Sequence, residues 1–150
     1  DAGVVGKDQL LEHGRDLYEP LDLRFGTCRL VVAQPADLKG GGRPEEWSSL
    51  RVATKYPNVT ERHFTQRGIQ VEIIKLYGSI ELAPLVGLAE RIVDLVASGH
   101  TLRENGLVEV EEIAESSARF IVNRAALKTR YHRIRALIGH LRAQVEQGGR

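Results

Sequence analysis

Between residues 51 and 106, short apolar runs alternate with segments that read as helices. The runs at 51–54 (RVAT), 71–76 (VEIIKL) and 91–96 (RIVDLV) have strand length and are rich in branched residues. The stretches after them carry helix-forming residues or turn signals. Such alternation predicts an α/β architecture with largely parallel pairing, because parallel strands need crossovers between them. Further strands are predicted at 4–5, 28–33 (CRLVVA), 107–113 and 118–123, and a helix at 9–13. Residues 18–25, with Pro20, read as a mixed turn segment, and 34–44, with Pro35 and the triplet Gly40-Gly41-Gly42, as a surface loop. Trp47 is expected to anchor that excursion.

Helix ends are read from capping chemistry. Asn58 or Thr60 is expected to cap a helix running through Arg67 and closed by Gly68. Ser79 is expected to cap a helix at 80–86 that tolerates Pro84 in its first turns. The last element reads as one long helix over 125–145, with Leu127, Tyr131, Ile134, Ile138, Leu141 and Val145 on one apolar stripe. Arg130, Arg133, Arg135 and Arg142 fall largely off the stripe and read as a solvated face.

Charge narrows the function classes. A net charge of +1, from 21 basic and 20 acidic residues, gives no footprint for nucleic acid or an anionic membrane. Cys28 is the one cysteine, so no internal disulfide is expected, and its apolar neighbours predict a buried strand position. No apolar run approaches membrane-spanning length. A soluble, cytoplasmic protein is expected. His13, His63, His132 and His140 stand at no metal-ligand spacing with other His or Cys.

The chemistry is concentrated in 92–102 (IVDLVASGHTL): a strand, a carboxylate, a small-residue loop, then a hydroxyl at a helix start. Ala97, Ser98 and Gly99 have little or no side chain, so backbone amides can approach a phosphate. The helix that follows offers unpaired N–H groups and the positive end of its dipole. Ser98 and Thr101 add hydroxyl donors, and Asp94 at a strand's carboxyl end can accept bonds from two sugar hydroxyls. An ordinary strand–loop–helix turn would explain any one of these features; all of them in this order point to a ribose phosphate.

Several co-ordered blocks carry a resemblance. Residues 94–102 (DLVASGHTL) are similar to the phosphoribosyl-pyrophosphate loop of ATP phosphoribosyltransferases. In the family's order stand 3–8 (GVVGKD), 18–30 (YEPLDLRFGTCRL), 51–58 (RVATKYPN), 78–87 (GSIELAPLVG), 106–110 (GLVEV) and 117–128 (SARFIVNRAALK). The resemblance implies a two-lobed α/β fold like the type II periplasmic binding proteins, with an active site between the lobes. On that pattern 1–33 is part of lobe I, 34–110 is lobe II with the donor loop, and 111–150 returns to lobe I. It implies transfer of 5-phosphoribosyl from phosphoribosyl pyrophosphate to N1 of ATP, releasing pyrophosphate, with magnesium (Mg2+) on the donor. This is the first step of histidine biosynthesis. The family's N-terminal Pro-Lys-Gly-Arg block is not in this sequence, and the first lobe is expected to be incomplete in it. Long-form members carry a regulatory domain after the last helix. The resemblance is to the short form, whose partner is a histidyl-tRNA-synthetase-like regulatory subunit in a hetero-oligomer.

Residue roles follow from the resemblance. Asp94 would hold the ribose hydroxyls, Ala97, Ser98, Gly99, His100 and Thr101 would cradle the 5-phosphate, and Lys55 and Arg51 would neutralise phosphate charge. Glu81 fits positioning of substrate or magnesium, or simply an acid favouring a helix N-terminus. His100 fits a ligand contact or plain solvent exposure. Arg24 stands where the family commonly has glycine, Tyr77 where it has asparagine, and Glu90-Arg91 replaces an Asp-small pair. Two alternatives are a salvage-type phosphoribosyltransferase of the other large fold and a non-catalytic ligand-binding module. Against the first, Val93 stands where a salvage loop usually has a second acid before Asp94.

Overall fold

The computed structural model describes residues 1–38 and 50–148. The expectations for Gly40-Gly41-Gly42, Pro44 and Trp47 lie outside the described residues. In chain order the elements are β1 (Ala2–Gly6), α1 (Lys7–His13), β2 (Tyr18–Asp22), β3 (Cys28–Pro35), β4 (Leu50–Thr54), α2 (Pro57–Gln66), β5 (Val71–Lys75), a 3-10 turn (Ile80–Leu82), β6 (Arg91–Val96), α3 (His100–Glu104), β7 (Leu107–Ser116), β8 (Ala118–Val122), α4 (Arg124–Thr129) and α5 (Tyr131–Gly148). They form two compact units, one of Asp1–Thr27 with Ser116–Arg150 and one of Cys28–Glu115. The boundaries fall at 27/28 and 115/116, where 33/34 and 110/111 were expected. Strand pairing decides this, because β3 from Cys28 onward and most of β7 belong to the second unit's sheet.

The discontinuous unit holds a three-stranded antiparallel sheet in the order β1-β8-β2. Residues 18–22 are therefore a strand, where a turn segment was expected. Their partner is β8, about a hundred residues away, and the register shifts between Tyr18 and Leu21 around Pro20. A proline without an N–H is tolerated there because β2 is an edge strand. Phe120 and Val122 of β8 alternate onto one face and bury against Ala126 and Ile134. Leu21, Leu23, Leu127, Ile138 and Leu141 pack around them, so most of the C-terminal stripe covers its own sheet.

The single long helix expected over 125–145 is two helices. Asn123 caps α4 by accepting from the Ala125 and Ala126 amides, and Arg130 leaves helical geometry at φ −129°, ψ 35°. In a continuous helix Ala126 and Ile134 would stand about 80° apart around the axis. The break brings both to one cluster and leaves Tyr131 48% exposed.

The continuous unit is a five-stranded sheet in the order β5-β4-β6-β3-β7. β4 runs parallel to β5 and β6, as the alternation over 51–106 predicts, while β3, outside that stretch, runs antiparallel to β6. Leu30, Val31, Val32 and Ala33 are all buried, so β3 reads as an apolar run covered on both faces. Such a run does not encode strand direction. One face of the sheet packs Val31, Ala33, Ala53, Ile92 and Val96 against Ile80, Leu102 and Leu107. Cys28 itself is half-buried.

Two caps differ from expectation. Tyr56 precedes α2 without a side-chain cap, and Pro57 takes the first helical position, where a missing N–H costs nothing. Thr60 lies inside that helix, its hydroxyl donating to the Tyr56 carbonyl at 2.6 Å. Ser79 makes no cap bond and lies at φ 52°, and the helix expected over 80–86 is a 3-10 turn. Pro84 cannot donate to Ile80 and its ring crowds that carbonyl, so the Ala83 amide bonds Ile80 instead, at 3.1 Å.

The burial of the last helices gives a direct test. Ile134→Ala should destabilise the protein by about 2–5 kcal/mol, as expected for a buried Ile-to-Ala change. Tyr131→Ala should stay within about 0.5 kcal/mol. Urea denaturation of both variants checks this, and equal losses would contradict the packing.

Candidate active site

Two adjacent parallel strands deliver the reactive groups to one edge. β4 and β6 are paired with Thr54 opposite Val93, so Lys55, just past the end of β4, and Asp94, in the carboxyl-terminal half of β6, lie next to each other. Ligands of open α/β sheets sit at this edge. Asp94 is half-buried, and its Oδ1 accepts the Leu95 amide at 2.8 Å. After Val96 the chain turns through Ala97, Ser98 and Gly99 into α3, which Leu102 anchors in the core.

Gly99 has φ 78°, a conformation that disfavours any residue with a side chain. A Cβ there would also lie 3.4 Å from an Arg103 guanidinium nitrogen. That guanidinium lies 3.5 Å from the Ser98 carbonyl, and the Ser98 hydroxyl accepts the His100 amide at 3.4 Å. Lys55, Glu81, Asp94 and the run from Leu95 to Leu102 line one cleft of about 330 Å³. Among the expected site residues, the structure thus gathers Lys55, Glu81, Asp94, Ala97, Ser98, Gly99, His100 and Thr101.

Arg51 does not join them. It lies nearer the amino end of β4, and its guanidinium and backbone amide bind the Glu90 carboxylate at 2.6–3.2 Å. These bonds raise the Arg51 pKa and lower that of Glu90. Arg51 was expected to neutralise phosphate; in the structure its charge is matched by Glu90 and it does not line the cleft. The same pair accounts for Glu90, which the sequence marks as a departure from the family. His100 lines the cleft, but its ring is engaged along its own helix, 2.9 Å from Glu104.

Burial pushes the Asp94 pKa up, opposed by the Leu95 amide and Lys55 and assisted by Glu81. A cleft with two carboxylates and one lysine suits a ligand that brings hydroxyl groups and cations as well as phosphate. Among the described residues, no group of three or more His, Cys, Asp or Glu side chains could hold a metal by itself.

Thr54 is marked by no motif in the sequence. Its side chain is fully buried, its hydroxyl donates to the Val93 carbonyl at 2.8 Å, and it accepts the Tyr56 amide at 2.9 Å. The signal in the sequence is a hydroxyl residue closing the strand Leu50–Thr54 directly before a lysine.

With this geometry in place, similarities to known proteins become informative. The family model described as HisG, ATP phosphoribosyltransferase, matches residues 1–143. The ATP phosphoribosyltransferase of Syntrophotalea carbinolica is 67% identical over 150 residues, covering 99% of this chain and 68% of that protein. A chain of the ATP phosphoribosyl transferase (HisG:HisZ) complex from Thermotoga maritima superposes with a TM-score of 0.86 at 37% identity, covering 98% of this chain and 71% of that one. The periplasmic aliphatic sulphonate binding protein SsuA from Escherichia coli superposes with a TM-score of 0.62 at 14% identity, over 98% of this chain and 58% of that one, a likeness of fold alone. None of these similarities favours the salvage-type enzyme or the non-catalytic module.

The raised Asp94 pKa predicts a stability effect with a definite sign. Where the folded pKa exceeds the unfolded one, the folded state holds more protons, so stability falls as pH rises through that window. Asp94→Asn removes this loss while keeping an oxygen for the Leu95 amide. The variant should gain on the wild type as pH rises from below the usual carboxylate range to neutrality, and the two should converge at the acid end. Denaturation series across that range check it, and a variant that loses ground toward neutrality would contradict the desolvation argument.

Proposed function

Because the chain belongs to the ATP phosphoribosyltransferase family, we propose that the cleft at Lys55 and Asp94 is where it holds phosphoribosyl pyrophosphate. The family's reaction forms a bond from N1 of ATP to the ribose anomeric carbon and breaks the bond from that carbon to pyrophosphate. It is the first step of histidine biosynthesis, a glycosyl transfer. The convergence of Lys55, Glu81, Asp94 and the loop from Ala97 to Thr101 on one cleft is the observation that carries this reading.

In it, the Asp94 carboxylate accepts bonds from two ribose hydroxyls, which fixes the sugar's orientation. The backbone amides of 97–101, that of His100 among them, and the hydroxyls of Ser98 and Thr101 hold the 5-phosphate. Lys55 neutralises charge that develops on the departing pyrophosphate. Positioned charge of this kind counts for more here than acid–base chemistry, because pyrophosphate leaves as a stable anion.

Magnesium fits the donor set as an ion carried in on the substrate. It commonly takes one or two protein carboxylates and completes its shell with phosphate and water. Glu81 and Asp94 are the residues that would hold it, and it would supply further neutralisation of the diphosphate.

The proposal extends to the assembly. By likeness to the Thermotoga maritima chain, which comes from a HisG:HisZ complex, this protein works in a hetero-oligomer with a histidyl-tRNA-synthetase-like regulatory subunit. Histidine then acts through that partner. Among the described residues no helix is long and apolar enough to cross a membrane, and the reading places the protein in the cytoplasm.

In the full-length protein, Asp94→Asn should weaken donor binding by about 1.5–3 kcal/mol, the cost of a charged hydrogen bond. Gly99→Val should weaken it more than Ser98→Ala, since it adds backbone strain and blocks the amide cradle. Arg51→Ala should leave donor affinity within about twofold. Calorimetric titration with phosphoribosyl pyrophosphate checks all four, and a loss for Arg51→Ala equal to that for Asp94→Asn would overturn the assignment. Light scattering and pyrophosphate release, with and without the co-expressed regulatory subunit, check the assembly. Histidine inhibition of the catalytic protein alone would reject it.

A further inference from the structure

Lys55 and Asp94 stand on different strands, and a lysine one residue beyond a strand end is free to swing unless its backbone is held. Thr54 holds it. The parallel ladder of β4 and β6 ends at the Thr54–Val93 pair, because β4 leaves the sheet there for α2. Past that point the Thr54 hydroxyl takes over the ladder's task. It donates to the Val93 carbonyl, immediately before Asp94, at 2.8 Å, and accepts the Tyr56 amide, immediately after Lys55, at 2.9 Å. The Thr54 carbonyl in turn accepts the Leu76 amide at 3.0 Å.

The far side is braced as well. The Tyr56 carbonyl accepts both the Thr60 hydroxyl at 2.6 Å and the Thr60 amide at 3.0 Å. Thr54 and Thr60 are both fully buried, so water does not compete for these bonds. Lys55 thus sits in a loop closed by one hydroxyl and tied through it to the backbone that carries Asp94.

We propose that Thr54 is a positioning residue for phosphoribosyl transfer, its hydroxyl setting Lys55 and Asp94 at the spacing that the donor requires. The inference rests on the assignment of the donor to this cleft. It concerns a residue that touches no substrate, and it separates the hydroxyl from the methyl group. The methyl fills core space, while the hydroxyl alone links the two functional residues.

The test uses the full-length protein and phosphoribosyl pyrophosphate, with affinity read by calorimetry and turnover by pyrophosphate release. Thr54→Val keeps the shape and removes both bonds. It should weaken donor binding roughly tenfold, for two buried neutral hydrogen bonds lost. Thr54→Ser, which keeps the hydroxyl, should stay within about twofold of the wild type. A merely structural threonine would not show the next result. Combined with Asp94→Asn, Thr54→Val should cost much less affinity than it does alone, because the group it positions is already impaired. Combined with His63→Gln, whose ring pairs with Glu111 away from the cleft, its effect should be undiminished.

If Thr54→Val does not fold, Thr54→Cys keeps the size with a weaker donor and carries the same cycles. Donor affinity within about twofold of the wild type for the folded hydroxyl-free variant, or full additivity with Asp94→Asn, overturns the inference. A wild-type protein that fails to bind the donor instead removes the reading on which the inference stands.

Discussion

The parallel pairing of β4 with β6 is the constraint on which the rest of the site depends. Because the two strands run the same way, their carboxyl ends finish at one edge, and whatever follows each strand is delivered there. On one side that is Lys55 and the start of α2; on the other it is the small-residue loop and α3, with Asp94 in the last part of β6 itself. Packing reinforces the arrangement from below. Ala53 and Ile92 point into the same core as Ile80 and Leu102, so the segment bearing Glu81 and the helix after the small-residue loop are seated on these strands. The Lys55, Glu81 and Asp94 side chains are exposed or half-buried, but each follows directly on a buried residue, Thr54, Ile80 or Val93.

Much of this is legible in the sequence, and the parts that are not share a cause. The run 91–96 is a strand with the bounds that its apolar pattern gives, and the loop and helix after it follow from small residues and a hydroxyl. Lys55, Glu81 and Asp94 are brought to one cleft, as the family resemblance implies. What local pattern does not reveal is long-range pairing. β2 is a strand because β8 lies beside it, and Arg51 is spent on Glu90, 39 residues away in sequence. The break at Arg130 is of the same kind, since an unbroken apolar stripe looks alike whether or not the helix bends to meet its sheet.

The departures from the family pattern can also be weighed. Arg24 lies at φ 57°, within the region that favours glycine, and its amide is held by the Asp22 carboxylate at 2.8 Å. The backbone there keeps a glycine-like shape without the glycine, with an Asx-type turn offsetting part of the strain. Tyr77 is 85% exposed with the Lys75 ammonium 5.3 Å from its ring centre, a surface contact that burdens nothing in the core. Ser116 and Asp8, by contrast, are buried partners in the discontinuous unit. The serine hydroxyl donates to the carboxylate at 2.9 Å and accepts the Asp8 amide at 3.0 Å.

The strand order β1-β8-β2 has a consequence for how the chain comes to be folded during its synthesis. The strand in the middle of that sheet is the last of the eight to be made. The unit from Cys28 to Glu115 is continuous and can close as soon as it clears the ribosome. β1 and β2 emerge earlier, yet β8, the strand that each pairs with among the described residues, comes only with Ala118–Val122. Until then they lack that partner and are open to each other in the wrong register or to other nascent chains. The continuous unit, with its cleft, is therefore finished before β1 and β2 can take their places beside β8.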